Sequence, residues 1–334
     1  MIYAVKQKWD KKSKTLCIIR YGAWGDAIML SPVFKYFKQE GWYITLNCTQ
    51  KCFDILNTNP NIDAFLLQDD GEIPFENLDK HWKELNKKFD RVINFTGSIE
   101  NSLLIAQNQP EWNWSKDQRH ERCNVNYYDH TMKLAGFPDK TGEIGELHFK
   151  AAEERWAATV RKRYPGFLVV WCLSGSAIHK IYPYADVVIQ ALVSAIPEAT
   201  VILVGEQATK GIIDPHPRIM DWCGRFNIRK SFILTKIADL VVSPETSVLA
   251  ASGCFNTPKI ALLSHGSEVN VTKYYKNCYS VRQDVSCSPC HKLHFSRETC
   301  PLVKETQFPV CMGLLDPKKL LQPIEEIYNK WKTT

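Results

Sequence analysis

The sequence has no long hydrophobic run. Its longest unbroken apolar stretch, residues 167–173, is far shorter than the roughly 20 residues that a helix needs to cross a bilayer, so we expect no transmembrane helix. The first residues, MIYAVKQKWDKKSK, become polar at once and lack the apolar centre of a secretory signal. Internal repeats and low-complexity tracts are also missing. We therefore expect a globular protein in the cytoplasm.

Two nucleotide-binding signatures are absent as well. The chain contains neither the GxGxxG turn of dinucleotide-binding domains nor the GxxxxGK[ST] loop of P-loop enzymes. A phosphate site in this chain must therefore be built in another way.

Composition and charge are those of an ordinary folded protein. Of 334 residues, 45% are hydrophobic and 23% are charged, and the formal net charge is +6. This composition excludes a disordered chain, and the length favours two domains over one core. The mild positive charge permits an anionic partner, such as a nucleotide, a nucleic acid or a membrane surface, without requiring one.

Apolar strands alternate with longer amphipathic segments in both halves of the chain, which is typical of α/β domains with parallel sheets. We predict an N-terminal Rossmann-like domain over residues 1–148, a C-terminal one over 149–316, and a last helix over 317–334 that packs back on the N-terminal domain. Ligands of such sheets bind beyond the carboxyl ends of the strands. The loops that follow the strands are therefore where we look for a site.

The loop after the first predicted strand runs from Tyr21 to Asp26. Gly22 and Gly25 allow the backbone to approach a ligand closely, and the N-terminus of the following helix favours negative charge. Asp26 can take a proton from a hydroxyl group. Spacing alone favours the alternative, in which Asp26 only caps the helix.

The loop after residues 167–173 contains Ser174, Ser176 and Lys180. Small hydroxyl residues followed by a lysine suit a phosphate group, which would receive N–H and Oγ donors and one point charge. An ordinary polar turn with a solvated lysine accounts for the same residues equally well.

Further polar residues follow other strands of the second half. They are Glu206, then Glu245, Thr246 and Ser247 at the start of a small-residue helix, then His265, Asn270 and Lys273 in a polar loop. The N-terminus of this helix suits an anion, and the Glu245 carboxylate can accept hydrogen bonds from ribose hydroxyl groups. The alternative is that Ser243 or Thr246 only caps the helix. A lone loop histidine is usually only solvated.

The chain has twelve cysteines, which we expect to be reduced in the absence of a secretory signal. Cys287 and Cys290 form a C-x-x-C pair, followed by Cys300 and Cys311, and this spacing loosely matches structural zinc sites. The alternative is a set of buried thiols without a metal.

Residues 111–128 interleave aromatic and basic side chains, among them Trp112 and Arg119. Such a segment suits stacking on exposed bases or on sugar rings, and it equally suits plain packing.

Together these loops resemble the ADP-heptose:lipopolysaccharide heptosyltransferase family (glycosyltransferase family 9). The segment IIRYGAWGDAIMLSPVFKYFK resembles the family's opening strand, G-x-x-G-D turn and helix, LSGSAIHKIYP resembles the segment in which a lysine precedes an aromatic residue and a proline, and ADLVVSPETSVLAASG resembles the stretch near the nucleotide site. The similarity covers nearly the whole chain in the same order. It implies an α/β protein of the GT-B fold, two Rossmann-like domains with a central cleft.

The resemblance also implies roles for individual residues. In that family the aspartate of the G-D pair is the catalytic base, which falls on Asp26, and the lysine that meets the donor phosphate falls on Lys180. The acidic residue of the third motif falls on Glu245, with Thr246 and Ser247 at the diphosphate. The family usually has Asp, then Gly, then His in this stretch, so the chain departs from it here.

The implied chemistry is sugar transfer with inversion from a nucleotide sugar of the UDP or ADP type, with no cofactor required. The chain has no D-x-D pair at a strand end to hold Mg²⁺, so Lys180, hydroxyl groups and helix N-termini would stabilise the leaving diphosphate. The predicted donor-binding residues are Gly22, Gly25, Ser174, Ser176, Lys180, Glu206, Glu245, Thr246 and Ser247.

The elements S-P-E-T, S-H-x-S-x-x-N-x-T-K and C-x-P-C-H resemble a branch of the family associated with phage genomes. This resemblance and the positive charge favour a hydroxymethylated pyrimidine in DNA as the acceptor, in the cytoplasm of a phage host. A lipopolysaccharide core sugar or another glycan is the alternative acceptor, and a non-catalytic module that binds nucleotide sugar or nucleic acid is the third alternative. The candidate acceptor residues are Trp24, Trp112, Arg119, His265, Asn270 and Lys273.

Overall fold

The chain forms two compact α/β units. The computed structural model describes residues 2–10, 13–69, 71–100 and 102–333. Unit 1 consists of Met1–Ile99 and Tyr127–His148, and unit 2 of Glu100–Asn126 and Phe149–Thr334.

Strands and helices alternate along the chain as the sequence predicts. The strands are β1 (Ile2–Val5), β2 (Thr15–Arg20), β3 (Tyr43–Cys48), β4 (Ala64–Leu67), β5 (Arg91–Asn94), β6 (Phe167–Cys172), β7 (Ala199–Val204), β8 (Ile219–Asp221), β9 (Leu240–Pro244), β10 (Lys259–Leu262) and β11 (Cys278–Val281). The helices are α1 (Trp24–Gln39), α2 (Gln50–Leu56), α3 (Leu78–Asn86), α4 (Lys116–Cys123), α5 (Tyr127–Ala135), α6 (Ala151–Arg163), α7 (Ala185–Ala195), α8 (Ile228–Ile237), α9 (Ser247–Gly253), α10 (Glu268–Val271), α11 (Val310–Gly313) and α12 (Lys318–Lys332). Within the described ranges, no helix is both long enough and apolar enough to span a bilayer.

The sheet of unit 1 has the order β1-β4-β3-β2-β5. Strands β2 to β5 pair in parallel, and β1 pairs antiparallel with β4 at one edge. From β2 the chain continues through β3 and β4 in one direction, whereas β5 lies on the other side of β2. The strand order therefore reverses between β2 and β5, and the loops after these two strands frame a crevice at the carboxyl edge of the sheet.

Helix α1 continues through Pro32, although the proline ring has no N–H group to bond the carbonyl oxygen of Ile28. The hydroxyl group of Ser31 donates to that oxygen over 2.7 Å and replaces the missing bond. Ser31 Oγ in turn accepts from the backbone N–H of Glu146, 2.6 Å away. One buried hydroxyl group thus keeps the helix intact and ties it to the end of unit 1.

The sheet of unit 2 is parallel and has the order β11-β10-β9-β6-β7-β8. Every residue of β6 is buried, as its continuous apolar run predicts, because a parallel sheet is covered on both faces. The chain continues from β6 through β7 to β8 in one direction, whereas β9, β10 and β11 lie on the other side. The strand order therefore reverses between β6 and β9.

The last helix differs from the predicted domain organisation. The sequence analysis placed residues 317–334 on the N-terminal domain, but the apolar face of α12 packs into the core of unit 2. The rings of Tyr328 and Phe167 lie 5.4 Å apart, and the Tyr328 hydroxyl donates to Oε2 of Glu198 over 2.8 Å. The strand β6 and the loop before β7 therefore supply the surface that this apolar face needs.

The segment 100–126 is the second difference, because it belongs to unit 2 and not to a continuous first domain over residues 1–148. Ile105 forms a parallel bridge with Lys292, and Nδ2 of Asn126 donates to the carbonyl oxygen of Val269 over 2.9 Å. These hydrogen bonds hold the segment on unit 2 at both of its ends.

The Ser31 hydroxyl group generates a stability prediction. Ser31→Ala should lower the free energy of unfolding by about 1–3 kcal/mol, because the carbonyl oxygen of Ile28 and the N–H of Glu146 would each lose a buried partner. Ser31→Ala/Pro32→Ala should be less destabilised than the sum of its single variants, since replacing the proline restores an N–H donor for the Ile28 carbonyl oxygen. Urea denaturation measures all four proteins, and strictly additive changes would contradict the explanation.

Candidate functional site

The first group of candidate residues lies at the carboxyl edge of the unit 1 sheet, where β2 leads into α1. Gly22 precedes the helix, and Trp24, Gly25 and Asp26 form its first turn. A side chain at Gly22 would be excluded, because a Cβ atom there would lie 2.7 Å from Oδ2 of Asp26. The indole Nε1 of Trp24 is buried and has no hydrogen-bond partner among the described residues. The turn therefore closes tightly around the Asp26 carboxylate.

The Asp26 carboxylate is held through both of its oxygens. Oδ2 accepts from the backbone N–H of Ala23 over 2.8 Å, which is the capping contact that spacing favours. Oδ1 lies 3.0 Å from Nη2 of Arg20. The Asp26 side chain is 17% exposed, so it is fixed in place and still accessible from one side. The capping role and a role as a base are therefore compatible.

Arg20 is a candidate that the sequence analysis missed. It ends β2, is only 2% exposed, and donates from Nη1 to the carbonyl oxygen of Phe95 over 2.7 Å. A buried cation needs a partner because burial of an unpaired charge is costly. A charged residue at the end of the apolar strand LCIIR was the available signal, but the sequence alone did not reveal its partner Asp26.

A narrow pocket lies beside this ion pair. Its walls are Arg20, Asp26, Met29, Leu30, Phe95, Ser98, Ile99 and Thr131. The candidate base therefore borders a narrow gap that has both polar and apolar walls.

The second group lies at the carboxyl edge of the unit 2 sheet, where the order reverses between β6 and β9. Lys180 and Thr246 both pack on Gly175, because a Cβ atom on this glycine would lie 2.8 Å from Cδ of Lys180 and 2.8 Å from Cγ2 of Thr246. Lys180 is half-buried and ends a 3₁₀ turn, Ile178–Lys180. The structure thus brings together the predicted lysine and the predicted threonine from two separate loops.

Ser174, Ser176 and Glu206 lie on the loops at the same edge. A Cβ atom on Gly205, which follows β7, would lie 3.8 Å from Oγ of Ser174. Ser176 and Glu206 are exposed, so their polar groups are accessible to a ligand.

Thr246 and Ser247 begin helix α9, as the capping alternative predicts. Oγ1 of Thr246 lies 3.5 Å from the backbone N–H nitrogen of Leu249 and 2.9 Å from Oγ of Ser243. Ser247 is the first helical residue. Both hydroxyl residues therefore follow β9 at the strand reversal point, and Thr246 packs with Lys180 on Gly175.

The Glu245 carboxylate contacts three residues of its own unit, unit 2. Its Oε2 accepts from the Ser264 hydroxyl over 2.9 Å, its Oε1 accepts from the N–H of Gly266 over 2.9 Å, and the carboxylate pairs with Nδ1 of His265. Burial alone would raise the pKa of Glu245, but the interaction with His265 outweighs it and lowers the pKa to about 2. The sequence analysis expected this carboxylate to meet ribose hydroxyls; in the structure it orders the loop after β10.

His265 belongs to a group of four buried histidines that we call the histidine cluster: His179, His265, His291 and His294. The ring of His179 lies 4.5 Å from that of His265 and 5.7 Å from that of His294. Neither ring nitrogen of His179 has a hydrogen-bond partner among the described residues. Burial, reinforced by His265, lowers the pKa of His179 to about 2, and burial lowers the pKa of His291 and of His294 to about 4.

Asn270 holds the 100–126 segment. Its Nδ2 donates to the carbonyl oxygens of Cys123 and Val125 over 2.7 and 2.8 Å, and its Oδ1 accepts from the N–H and the hydroxyl group of Ser267. These contacts use both donors and both acceptor positions of the amide. The predicted acceptor residue therefore has a structural task. Lys273, by contrast, is exposed and lies 4.8 Å from the ring of Tyr274.

The aromatic and basic segment, residues 111–128, packs on residues 290–292, which follow β11. Arg119 is buried and donates from Nε to the carbonyl oxygen of Cys290 over 2.8 Å and from Nη1 to that of Trp114. The ring of Trp112 lies 4.2 Å from Nζ of Lys292. These contacts fit plain packing, the alternative that the sequence analysis left open.

The predicted zinc site requires a correction. Among the described residues, no three His, Cys, Asp or Glu side chains are placed to hold a metal ion, so Cys287, Cys290, Cys300 and Cys311 form no such group. Cys311 is buried in the apolar core of unit 2, and Sγ of Cys290 points to the Lys292 carbonyl oxygen and to Nε2 of His294, 3.9 and 3.8 Å away. Burial raises the pKa of Cys290 to about 11 and that of Cys300 to about 12, which favours neutral thiols.

No protein-family model and no curated protein sequence matches the chain. Solved structures do match. A glycosyltransferase family 9 protein from Veillonella parvula aligns with a TM-score of 0.69 at 13% identity and covers 96% of this chain and 99% of its own. The E. coli ADP-heptose LPS heptosyltransferase II aligns with a TM-score of 0.63 at 11% identity, over 95% of this chain and 99% of its own.

A third structure is the dodecameric, iron-containing heptosyltransferase TibC, from enterotoxigenic E. coli, in complex with ADP-D-β-D-heptose. It aligns with a TM-score of 0.62 at 12% identity and covers 96% of this chain and 77% of its own. At these identities the similarity establishes the fold. The GT-B fold predicted from the sequence is confirmed.

The histidine cluster generates a prediction on acid stability. In the unfolded chain His179 binds a proton below about pH 6.5, whereas the folded chain keeps it neutral down to about pH 2, so the free energy of unfolding should fall as the pH falls below 6.5. His179→Phe removes this group, and between pH 6.5 and 4.5 its free energy of unfolding should fall less steeply, by up to about 1.4 kcal/mol per pH unit. Equal slopes in urea denaturation of wild type and variant would rule this out.

Proposed function

We propose that the chain is a glycosyltransferase that moves a sugar from a nucleotide sugar to an acceptor hydroxyl group. The main support for the proposal is that Lys180 and Thr246 both pack on Gly175, at the point of unit 2 where the strand order reverses. Open α/β sheets bind nucleotides and phosphates at such points. The alignment with glycosyltransferase structures over nearly the whole chain supports the same conclusion.

The proposed donor is an ADP-activated heptose. TibC has been solved with ADP-D-β-D-heptose, and the second structure carries ADP-heptose in its own name. In this chain Lys180 would supply a positive charge to the diphosphate, and Ser174, Ser176, Thr246 and Ser247 would supply hydroxyl donors. Glu245 would act indirectly, by ordering the loop 264–266.

The proposed reaction proceeds with inversion. Asp26 accepts the proton of the acceptor hydroxyl group as the acceptor oxygen forms a bond to the anomeric carbon. The bond from that carbon to the diphosphate oxygen breaks on the opposite face, and the electron pair leaves with the nucleoside diphosphate. Lys180 and the hydroxyl donors stabilise the charge that develops there, so the reaction needs no divalent metal.

The proposed acceptor is a hydroxyl group of a glycan of the lipopolysaccharide core type, because this class accompanies ADP-heptose in the name of the aligned E. coli enzyme. The hydroxymethylated pyrimidine of DNA stays a prediction. Incubation of the protein with ADP-heptose and either heptose-deficient lipopolysaccharide or hydroxymethylcytosine DNA, followed by mass spectrometry, separates the two. Binding to DNA should weaken steeply as the salt concentration rises, because each phosphate contact releases counterions. Donor binding without turnover on any acceptor would favour the non-catalytic alternative.

Asp26→Asn tests the role of the base. The amide cannot take the proton, so kcat should fall by about 10²- to 10⁴-fold while the Kd for ADP-heptose, measured by calorimetry, stays within about twofold. Asp79→Asn is the matched control, because Asp79 is an exposed aspartate in the first turn of another unit 1 helix, α3. Transfer by Asp26→Asn at the rate of this control would refute the assignment.

Lys180→Met tests the donor site. A hydrogen bond to a charged group contributes about 1.5–3 kcal/mol, so the Kd for ADP should rise roughly 10- to 100-fold. Lys162→Met, at an exposed lysine of α6 in the same unit, should bind ADP like the wild type. If both variants bind equally tightly, Lys180 does not contact the diphosphate.

A further inference from the structure

We propose that Arg20 is a positioning residue that keeps the Asp26 carboxylate ionised and in a single orientation for proton transfer. This inference rests on the proposed role of Asp26 as the base.

The Arg20 side chain is itself anchored to the main chain. Its side chain is 2% exposed, and Nη1 donates to the carbonyl oxygen of Phe95, the residue that follows β5. Strands β2 and β5 pair side by side, so this hydrogen bond joins the ends of two neighbouring strands. The guanidinium group is therefore fixed to the main chain and cannot follow a carboxylate that moves.

The two carboxylate oxygens of Asp26 contact different groups. Oδ1 lies 3.0 Å from Nη2 of Arg20, and Oδ2 lies 2.8 Å from the backbone nitrogen of Ala23. Rotation about the Cβ–Cγ bond would break both contacts at once. A base held in this way presents its oxygens to a substrate in one arrangement, and such preorganisation contributes to catalysis.

The ion pair between Arg229 and Glu153 shows how a structural pair differs. There Nε and Nη2 of the arginine contact the two oxygens of the carboxylate, over 2.5 and 2.7 Å, as a bidentate pair. Arg20 instead contacts a main-chain oxygen through Nη1 and one carboxylate oxygen through Nη2. This geometry fixes the position of the Asp26 carboxylate relative to the ends of β2 and β5.

The charge of Arg20 also acts on the Asp26 carboxylate. Arginine stays protonated at any working pH, and its charge favours the ionised form of a neighbouring carboxylate. Two other titratable groups of unit 1 lie near the site: the Cys52 thiol, 3.9 Å from the carbonyl oxygen of Gly22, and His130, which bonds the carbonyl oxygen of Ser98. Burial lowers the pKa of His130, so this imidazole is neutral near pH 7. Among the described residues, Arg20 places a positive charge 3.0 Å from Oδ1 of Asp26.

The test uses Arg20→Gln in the full-length protein. The acid limb of the pH profile of kcat/KM should move upward by about one to two pH units, because the carboxylate loses its positive neighbour. At neutral pH kcat should fall about tenfold or more while the KM for ADP-heptose is unchanged. A second readout needs no acceptor: the ¹³C signal of the Asp26 carboxyl carbon, assigned by its loss in Asp26→Asn, should titrate at a correspondingly higher pH.

Two controls separate positioning from stability. Arg229→Gln breaks another buried ion pair and should lower the melting temperature without moving the acid limb. Arg20→Lys keeps the charge but cannot bridge the carbonyl oxygen of Phe95 and Oδ1 of Asp26 together. It should keep the acid limb within about half a pH unit of the wild type while lowering kcat by about fivefold or more.

The outcomes distinguish this inference from the proposed function. Transfer by Asp26→Asn at the wild-type rate would show that Asp26 is not the base, and it would overturn the role of Arg20 as well. Loss of transfer in Asp26→Asn together with an unshifted Asp26 titration in Arg20→Gln would overturn the role of Arg20 alone. If Arg20→Gln does not fold, Arg20→Lys decides, and a wild-type kcat in that variant overturns the inference.

Discussion

The geometry of the parallel sheet is the constraint on which the other features depend. Strands such as β6 are buried on both faces, so their residues are apolar and the functional polar groups collect beyond their carboxyl ends. In each unit the strand order reverses beside the first parallel strand, which leaves room between two diverging loops. Asp26 occupies such a place in unit 1, and Lys180 and Thr246 occupy the corresponding place in unit 2. The candidate functional side chains therefore lie beyond the strand ends, because the strands themselves are buried and apolar.

Charge at these edges is kept in place by buried partners. Arg20 is paired with Asp26, and Glu245 with His265, and in each pair one member also bonds the main chain of a neighbouring loop. A charge inside the protein is tolerated only with such partners. The two pairs thus shape the loops: the first joins the ends of β2 and β5, and the second orders the turn after β10.

Patterns local in sequence predicted most of the fold. The apolar run of residues 167–173 predicted β6, and the last helix predicted over residues 317–334 is α12, whose first helical N–H bonds Oδ1 of Asp316 over 2.9 Å. Distant contacts could not be predicted in this way. Glu245 meets Ser264 and Gly266, some twenty positions further on, and spacing carries no information on such a bond. Asn270 donates to the carbonyl oxygen of Cys123, which is even further away in sequence. Without knowledge of this contact, the structural role of Asn270 could not be told from a role in binding an acceptor.

The path of the chain between the units has a consequence for dissecting the protein. Unit 1 is built from two stretches, Met1–Ile99 and Tyr127–His148, with Glu100–Asn126 of unit 2 inserted between them. The backbone therefore passes from one unit to the other three times. A fragment that ends near residue 148 would carry the inserted stretch without Val269, Asn270 and Lys292, to which it bonds. No single cut of the chain therefore separates the two units, and excision of unit 1 requires that its two stretches be joined without the inserted residues 100–126.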